Sequence, residues 1–301
     1  MKYRTLGRTG LRVSVVGLGT WQLGGEWGRD FGQTEVDAIL DRAAETGINL
    51  IDTAECYGDH LAERFIGDYL SRHERDRWIV ATKFGHRFNG FLDRTDRFQP
   101  EEVRDQLVAS LRALRTDRID LYQFHSGSDE AFLDDGLRTV LEDARRSGMV
   151  RNVGVSIRGK GSEVQAREAF GRGYGVLQVV YNRIDARAES EVFPYARRYG
   201  LGVLARVPLA SGLLSGKYDG LDKFDAGDYR STLGREEIAR RVHEADRIAG
   251  LELPLGVSRV RWALAWCLRD PVVAAVIPGA KSPEQVAENA SAADLLSDKM
   301  P

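Results

Sequence analysis

Cysteine, surplus charge and long apolar runs are all scarce in this 301-residue chain, and each shortage removes a class of function. Only Cys56 and Cys267 occur. Two thiols make no disulfide framework, and a reducing cytoplasm suits them. No Cys or His cluster has the spacing of metal ligands, so no metal is expected. Lys and Arg number 43 against 45 Asp and Glu, a formal net charge of −2. Such a balance gives no long-range field for gathering nucleic acid or an anionic membrane surface. No apolar run approaches the ~20 residues of a membrane span. The opening Met1-Lys2-Tyr3-Arg4-Thr5 lacks the apolar region of a signal peptide. Gly17-Leu-Gly19-Thr-Trp21-Gln22 carries glutamine where the G-x-G-x-x-G fingerprint needs glycine, which argues against a separate dinucleotide domain. Gly212 to Gly216 is not a phosphate-binding Walker loop either.

What the chain has is alternation, and a hydrophobic fraction of 43% to bury. Tyr3 to Ser14 reads as a β-hairpin around Gly7 to Gly10. Strand-like runs then follow at Val13–Leu18, 49–51, Trp78–Thr82, Ile119–Phe124, Asn152–Val155, Val176–Val180, Leu201–Ala205 and Val272–Ile277. Between them, helical spacing of apolar residues marks Gln33–Thr46, His60–Ser71, Pro100–Arg115, Ala131–Ser147, Glu163–Phe170, Glu189–Tyr199, Ser258–Leu268 and Pro283–Leu296. A loop-rich insertion spans Pro208–Leu233, and an extra helix Arg235–Ala249. Eight strands alternating with helices favour a closed (β/α)8 TIM barrel, α/β in class, with an N-terminal hairpin and extra segments, as one domain over 1–301. Such barrels carry their chemistry at the C-terminal ends of the strands.

That rule gathers scattered polar residues into one set. Asp52 follows the second strand, Tyr57 lies in the next loop, Lys83 ends the third strand and His125 the fourth. Alone, each has a plain structural role: a cap, a packing ring, a surface lysine, a buried imidazole. Together they suit protonation of an oxygen that is becoming negative. A phenol of pKa about 10 is a weak acid near neutrality. A nearby ammonium lowers it, a carboxylate holds the ammonium, and a neutral imidazole orients a carbonyl. No serine or cysteine nucleophile is paired with a base. The set lacks a hydride donor, so a cofactor is needed.

Ordered motifs along nearly the whole chain resemble the aldo-keto reductases. They are Leu-Gly-Arg-Thr-Gly (6–10), Gly-Leu-Gly-Thr-Trp (17–21), Asp-Thr-Ala-Glu-Cys-Tyr-Gly (52–58), Ala-Thr-Lys-Phe (81–84) and Asp-Leu-Tyr-Gln-Phe-His (120–125). The second half adds Pro-Leu-Ala-Ser-Gly-Leu-Leu-Ser-Gly-Lys-Tyr (208–218) and Ile-Pro-Gly-Ala-Lys-Ser-Pro-Glu-Gln-Val-Ala-Glu-Asn (277–289). The resemblance implies a (β/α)8 barrel that reduces small carbonyl compounds with NADPH, leaving NADP+. It makes Tyr57 the general acid, Lys83 and Asp52 its tuning pair, and His125 the carbonyl orienter. It assigns Gly19, Thr20, Trp21 and Asp52 to the cofactor cleft, Ser156 and Gln178 to the nicotinamide amide, and Leu209, Ser211, Gly212 and Lys217 to the pyrophosphate. Arg230, Gly279, Lys281, Gln285, Glu288 and Asn289 fall to the adenosine end.

Two positions depart from the family pattern. Ile157 stands where many members have asparagine. Arg206 stands where many have an aromatic ring; it is expected to stack on the nicotinamide or to bind a carboxylate in a neighbouring loop. Trp21, Trp27, Tyr57, Phe84 and His125 are expected to line the substrate pocket, with Phe88, Phe91, Arg87 and Arg94 in the same rim loops. A different class of function within the superfamily is a regulatory NADPH-binding subunit like the potassium-channel β subunits, which needs a partner-binding extension; the hairpin here begins at Tyr3. A hydrolase or aldolase would need metal ligands or a Schiff-base lysine, and Asp52 argues for a charged Lys83. The oligomeric state is not encoded in any motif.

Overall fold

The architecture follows from period-2 alternation in the strands. A computed structural model describes residues 1–159 and 161–296. The hairpin pairs β1 (Tyr3–Thr5) with β2 (Arg12–Ser14). Eight parallel strands follow: β3 (Leu18–Gly19), β4 (Leu50–Asp52), β5 (Ile79–Phe84), β8 (Ile119–His125), β9 (Val150–Ser156), β10 (Val176–Val180), β11 (Gly202–Arg206) and β12 (Val273–Val276). Each pairs with the next, and parallel bridges Val16–Val276 and Gly19–Gly279 join the first to the last. The ring is a (β/α)8 barrel. A second hairpin, β6 (His86–Gly90) with β7 (Asp93–Asp96), stands in a stretch read from sequence as a rim loop.

Helices α1 (Gln33–Glu45), α2 (Leu61–Leu70), α3 (Pro100–Ala113), α4 (Asp129–Phe132), α5 (Asp135–Arg146), α6 (Glu163–Glu168), α7 (Ala188–Glu191), α8 (Phe193–Tyr199), α9 (Arg235–Glu252), α10 (Arg259–Cys267) and α11 (Pro283–Ala290) accompany the strands. Two expected helices are divided. The run over 131–147 breaks because two caps compete: Ser128 Oγ accepts from Ala131 N and Asp134 Oδ1 from Leu137 N. The run over 189–199 breaks at Val192, because Pro194 opens a new helix. The apolar run Val13–Leu18 also serves two elements, the hairpin and β3.

Leu50, Ala81, Leu121, Val176, Leu204 and Ala275 point into the barrel and pack with Leu6 of the hairpin turn. Gly7 makes that plug fit. Its φ is +52, and an added Cβ would lie 2.1 Å from the Gly202 amide nitrogen. The N-terminal ends of the strands are therefore closed. Two residues further along each strand the same inward face meets Asp52, Lys83, Gln123, Gln178, Arg206 and Ile277. The interior passes from an apolar layer to a polar one at the opposite rim.

Candidate active site

Lys83 sits at the centre of that polar layer. Its buried ammonium donates to Asp52 Oδ1 at 2.6 Å, to the Thr53 carbonyl at 2.7 Å and to Tyr57 Oη at 3.1 Å. The other Asp52 oxygen accepts from Gln178 Nε2 at 2.7 Å and Gln123 Nε2 at 3.1 Å. Ser156 Oγ in turn donates to Gln178 Oε1 at 3.2 Å. Charge and amides thus satisfy one another in a dry interior, where an unpaired group would cost several kcal/mol.

Burial opposes the Lys83 charge, but Asp52 and Tyr57 outweigh it and hold the ammonium above its ordinary pKa. Burial pushes the Tyr57 phenol up to about 12, with Lys83 pulling the other way. The expected lowering of the phenol is therefore reversed in sign, because desolvation exceeds the ammonium's pull. Burial, then His86, Lys83, Arg206 and Arg94, push the His125 imidazole well below its usual range, so it is neutral. Cys56 Sγ lies 3.7 Å from His125 Nδ1. Burial pushes that thiol up, so it keeps its proton. With the thiol donating to Nδ1, the imidazole proton sits on Nε2 and faces the cleft.

Tyr57 is carried by a tight loop. An added Cβ on Gly24 would come within 2.7 Å of the Tyr57 carbonyl carbon, and Gly58 has φ +66. Trp21 stacks on the phenol at 6.2 Å, Trp27 meets Trp21 edge-on at 5.1 Å, and Tyr229 lies 5.0 Å from Trp21.

Asp52, Cys56, Tyr57, His125 and Gln178, with Trp21 and Trp27, line a cleft of about 630 Å³. Every cofactor residue expected from the sequence lines it except Ser156, which is hidden behind Gln178. Trp21, Trp27, Tyr57 and His125 line it as expected. Phe84 does not. Lys83 faces inward, so strand alternation turns Phe84 outward, where it is fully buried against Tyr122 and Phe124. Phe88 lies under the Arg94 guanidinium and Phe91 is exposed, so neither reaches the cleft. Arg94 does reach it, while Arg87 points to solvent.

Arg206 is held by a backbone carbonyl rather than a carboxylate: Nη2 donates to Ile157 O at 2.9 Å, and Nε is buried without a partner. At the far end Lys217, Arg230 and Lys281 converge. Arg230 is paired with Asp228 at 2.6 Å. Lys281 donates to the Trp27 carbonyl, and burial, then Arg230, lower its pKa. Ala210, Ser211 and Gly212 have φ of +50, +61 and +90, an unusual left-handed run that turns backbone toward the cleft.

The fold adds residues the sequence reading missed. Glu26, nearly fully buried, accepts from Trp21 Nε1 at 2.7 Å, Leu92 N at 2.7 Å and Arg94 Nη2 at 2.5 Å, tying the second hairpin to the tryptophan loop. Gln22 packs against Gly279, and Tyr218 accepts from Arg230. Gln22 follows one motif and Tyr218 ends another, which is the signal that could have found them. Glu55 is buried beside the tetrad formed by Asp52, Tyr57, Lys83 and His125; burial pushes its carboxyl up to about 8, against the pull of the His86 amide.

The sequence profile described as the Aldo/keto reductase family matches residues 15–300. The chain belongs to the aldo/keto reductase family. It is 31% identical over 316 residues to an NADH-specific methylglyoxal reductase of Escherichia coli (strain K12), covering 99% of this chain and 95% of that protein. It is 30% identical over 314 residues to a probable voltage-gated potassium channel subunit beta of Oryza sativa subsp. japonica, covering 98% and 92%. The holo form of an aldo-keto reductase from Bacillus halodurans has a similar fold, with TM-score 0.79 and 32% identity over 98% of this chain and 92% of that one. Membership makes this an oxidoreductase scaffold that works with a nicotinamide cofactor on small carbonyl compounds. In this aldo/keto reductase, no helix among the described residues is long and apolar enough to cross a membrane.

Proposed function

We propose that this aldo/keto reductase reduces aldehydes and ketones to alcohols with NADPH, with Tyr57 as the general acid. One observation carries the reading: a buried ammonium, Lys83, bonds both the Asp52 carboxylate and the Tyr57 hydroxyl at the wall of the cleft. A carbonyl oxygen placed against Tyr57 Oη and His125 Nε2–H meets two donors. As negative charge gathers on that oxygen, Tyr57 passes it the phenolic proton. The Lys83 ammonium stabilises the phenolate that remains, and Asp52 keeps that ammonium charged. The Trp21 and Trp27 faces exclude water and suit an apolar substituent.

The cleft's donor set fits the cofactor. Lys217, Arg230 and Lys281 suit phosphate, and the left-handed run at 210–212 offers backbone amides of the kind that cradle anions. When bound, NADPH supplies the hydride. Lys281 favours NADPH over NADH, because a 2′-phosphate gives its ammonium an anionic partner. The Escherichia coli relative is NADH-specific by name, so this preference needs its own measurement. Two free, buried cysteines suit a reducing cytoplasm.

The test is to mix purified protein with NADPH and a panel of aldehydes and follow the absorbance of the reduced cofactor. Aldehyde-dependent loss of absorbance is expected. Tight cofactor binding with no turnover on any aldehyde would instead favour a regulatory subunit.

A further inference from the structure

Beside the tetrad the fold assembles a donor set that no sequence spacing foretold. A Glu55 carboxyl oxygen, Cys56 Sγ and a His125 ring nitrogen all lie within 4.8 Å of one another. The sulfur–nitrogen edge is 3.7 Å. Around a tetrahedral zinc, with bonds of ~2.0–2.3 Å, such edges run to roughly 3.5 Å. The sulfur and nitrogen are therefore already near the separation such an ion needs, and the Glu55 oxygen lies within 4.8 Å of both donors. Oxygen, sulfur and nitrogen donors from three different side chains are a set that zinc accepts.

A second observation points to a ligand. Glu55 is only 3% exposed, and its Oε2 is buried with no hydrogen-bond partner. Its other oxygen accepts from the His86 amide at 3.0 Å, which fixes the carboxylate's orientation. A buried carboxyl oxygen without a hydrogen-bond partner is costly, and a cation that displaces the carboxyl proton would give it a partner. Entry is open, because Cys56 and His125 line the cleft. Of the neighbouring cations, Arg94 is engaged by Glu26 at 2.5 Å and Lys83 by Asp52 at 2.6 Å, while Arg206 donates only to the Ile157 carbonyl.

We propose that Glu55, Cys56 and His125 form a binding site for one thiophilic divalent cation of the zinc class, with a cleft water as the fourth ligand. On binding, the Cys56 thiol and the Glu55 carboxyl each give up a proton to solvent, and the two coordinate as thiolate and carboxylate. His125 coordinates through Nδ1, and Glu55 through Oε2. The inference rests on the donor set and not on the reductase reading. It does couple the two, since His125 serves both.

The experiment is a titration of the reduced, full-length protein with Co2+, followed by optical absorption and then by addition of Zn2+. One equivalent of Co2+ is expected to give a thiolate-to-cobalt charge-transfer band that Zn2+ removes. Cys56→Ser is expected to abolish the band, and Glu55→Gln to weaken Co2+ binding at least about tenfold. Cys267→Ser is expected to retain it, because Cys267 is fully buried in the core and donates to the Tyr181 carbonyl. No charge-transfer band, a band that survives Cys56→Ser, or unchanged affinity in Glu55→Gln would each overturn the site. Should Cys56→Ser misfold by circular dichroism, X-ray absorption of the zinc-loaded native protein decides. One sulfur near ~2.3 Å with nitrogen or oxygen neighbours supports the site; no sulfur, or more than one, overturns it.

Discussion

Lys83 Nζ lies 3.1 Å from Tyr57 Oη, and this contact makes the phenol part of a buried ion pair and not a solitary ring. Removing the ammonium leaves Asp52 buried, with only the Gln123 and Gln178 amides. Lys83→Met is therefore expected to lower stability by roughly 3–5 kcal/mol, the usual result of orphaning a buried charge. Urea unfolding measures this, and a loss below about 1 kcal/mol would contradict the buried-pair reading. Turnover should fall as well, because the phenolate loses its counter-ion.

Lys281 tests the cofactor preference. Its ammonium is half-buried beside Arg230, whose own charge is committed to Asp228. A charged hydrogen bond to a phosphate is worth about 1.5–3 kcal/mol. Lys281→Ala is expected to weaken NADPH binding about tenfold or more and to leave NADH little changed. Fluorescence titration with both cofactors checks this; equal losses would remove Lys281 from the 2′-phosphate.

Arg206 tests the charge of the cleft. Its guanidinium is anchored to the Ile157 carbonyl and lines the cleft near Tyr57. At an effective dielectric of ~20, two unit charges at 4 Å interact by about 4 kcal/mol before relaxation. A small fraction of that disfavours the cationic ring of NADP+ several-fold relative to neutral NADPH. Arg206→Trp is expected to tighten NADP+ more than NADPH. Dissociation constants for the two forms with both proteins decide it, and an unchanged ratio would refute the electrostatic role.

Glu26 joins two loops that form the substrate wall. Glu26→Gln keeps the shape but loses the charge that holds Arg94. The expected outcome is a several-fold higher KM for aldehyde with kcat little changed, since the tetrad is untouched. A fall in kcat at constant KM would place Glu26 in the chemistry instead.

The barrel was legible because eight short apolar runs alternate with helical spacing, and several of them end at a polar residue such as Asp52, Lys83, His125, Ser156 or Arg206. Alternation explains both what could be read and what was misread. It put Asp52, Lys83 and Gln178 on one inward face, and it turned Phe84, one residue from Lys83, into the outer core. Arg206 could be recognised as unusual, but its partner could not, because a backbone carbonyl leaves no mark in a sequence. Glu26 and Arg94 are 68 residues apart and meet only through a hairpin that was read as a loop. The same holds for Cys56 and His125, 69 residues apart. The direction of the Tyr57 shift was also beyond the sequence, since it depends on how completely water is excluded.

The central claim is that the Tyr57 hydroxyl delivers the proton to the carbonyl oxygen. Tyr57→Phe keeps the ring that stacks on Trp21 and leaves the Lys217, Arg230 and Lys281 end of the cleft intact. General acid catalysis is worth typically 10²–10⁴-fold. The deciding measurement is the single-turnover rate of aldehyde reduction by Tyr57→Phe saturated with NADPH, beside its NADPH dissociation constant. The account predicts a rate at least about a hundredfold below the native protein with cofactor affinity within a few-fold. A native rate at native affinity would contradict it.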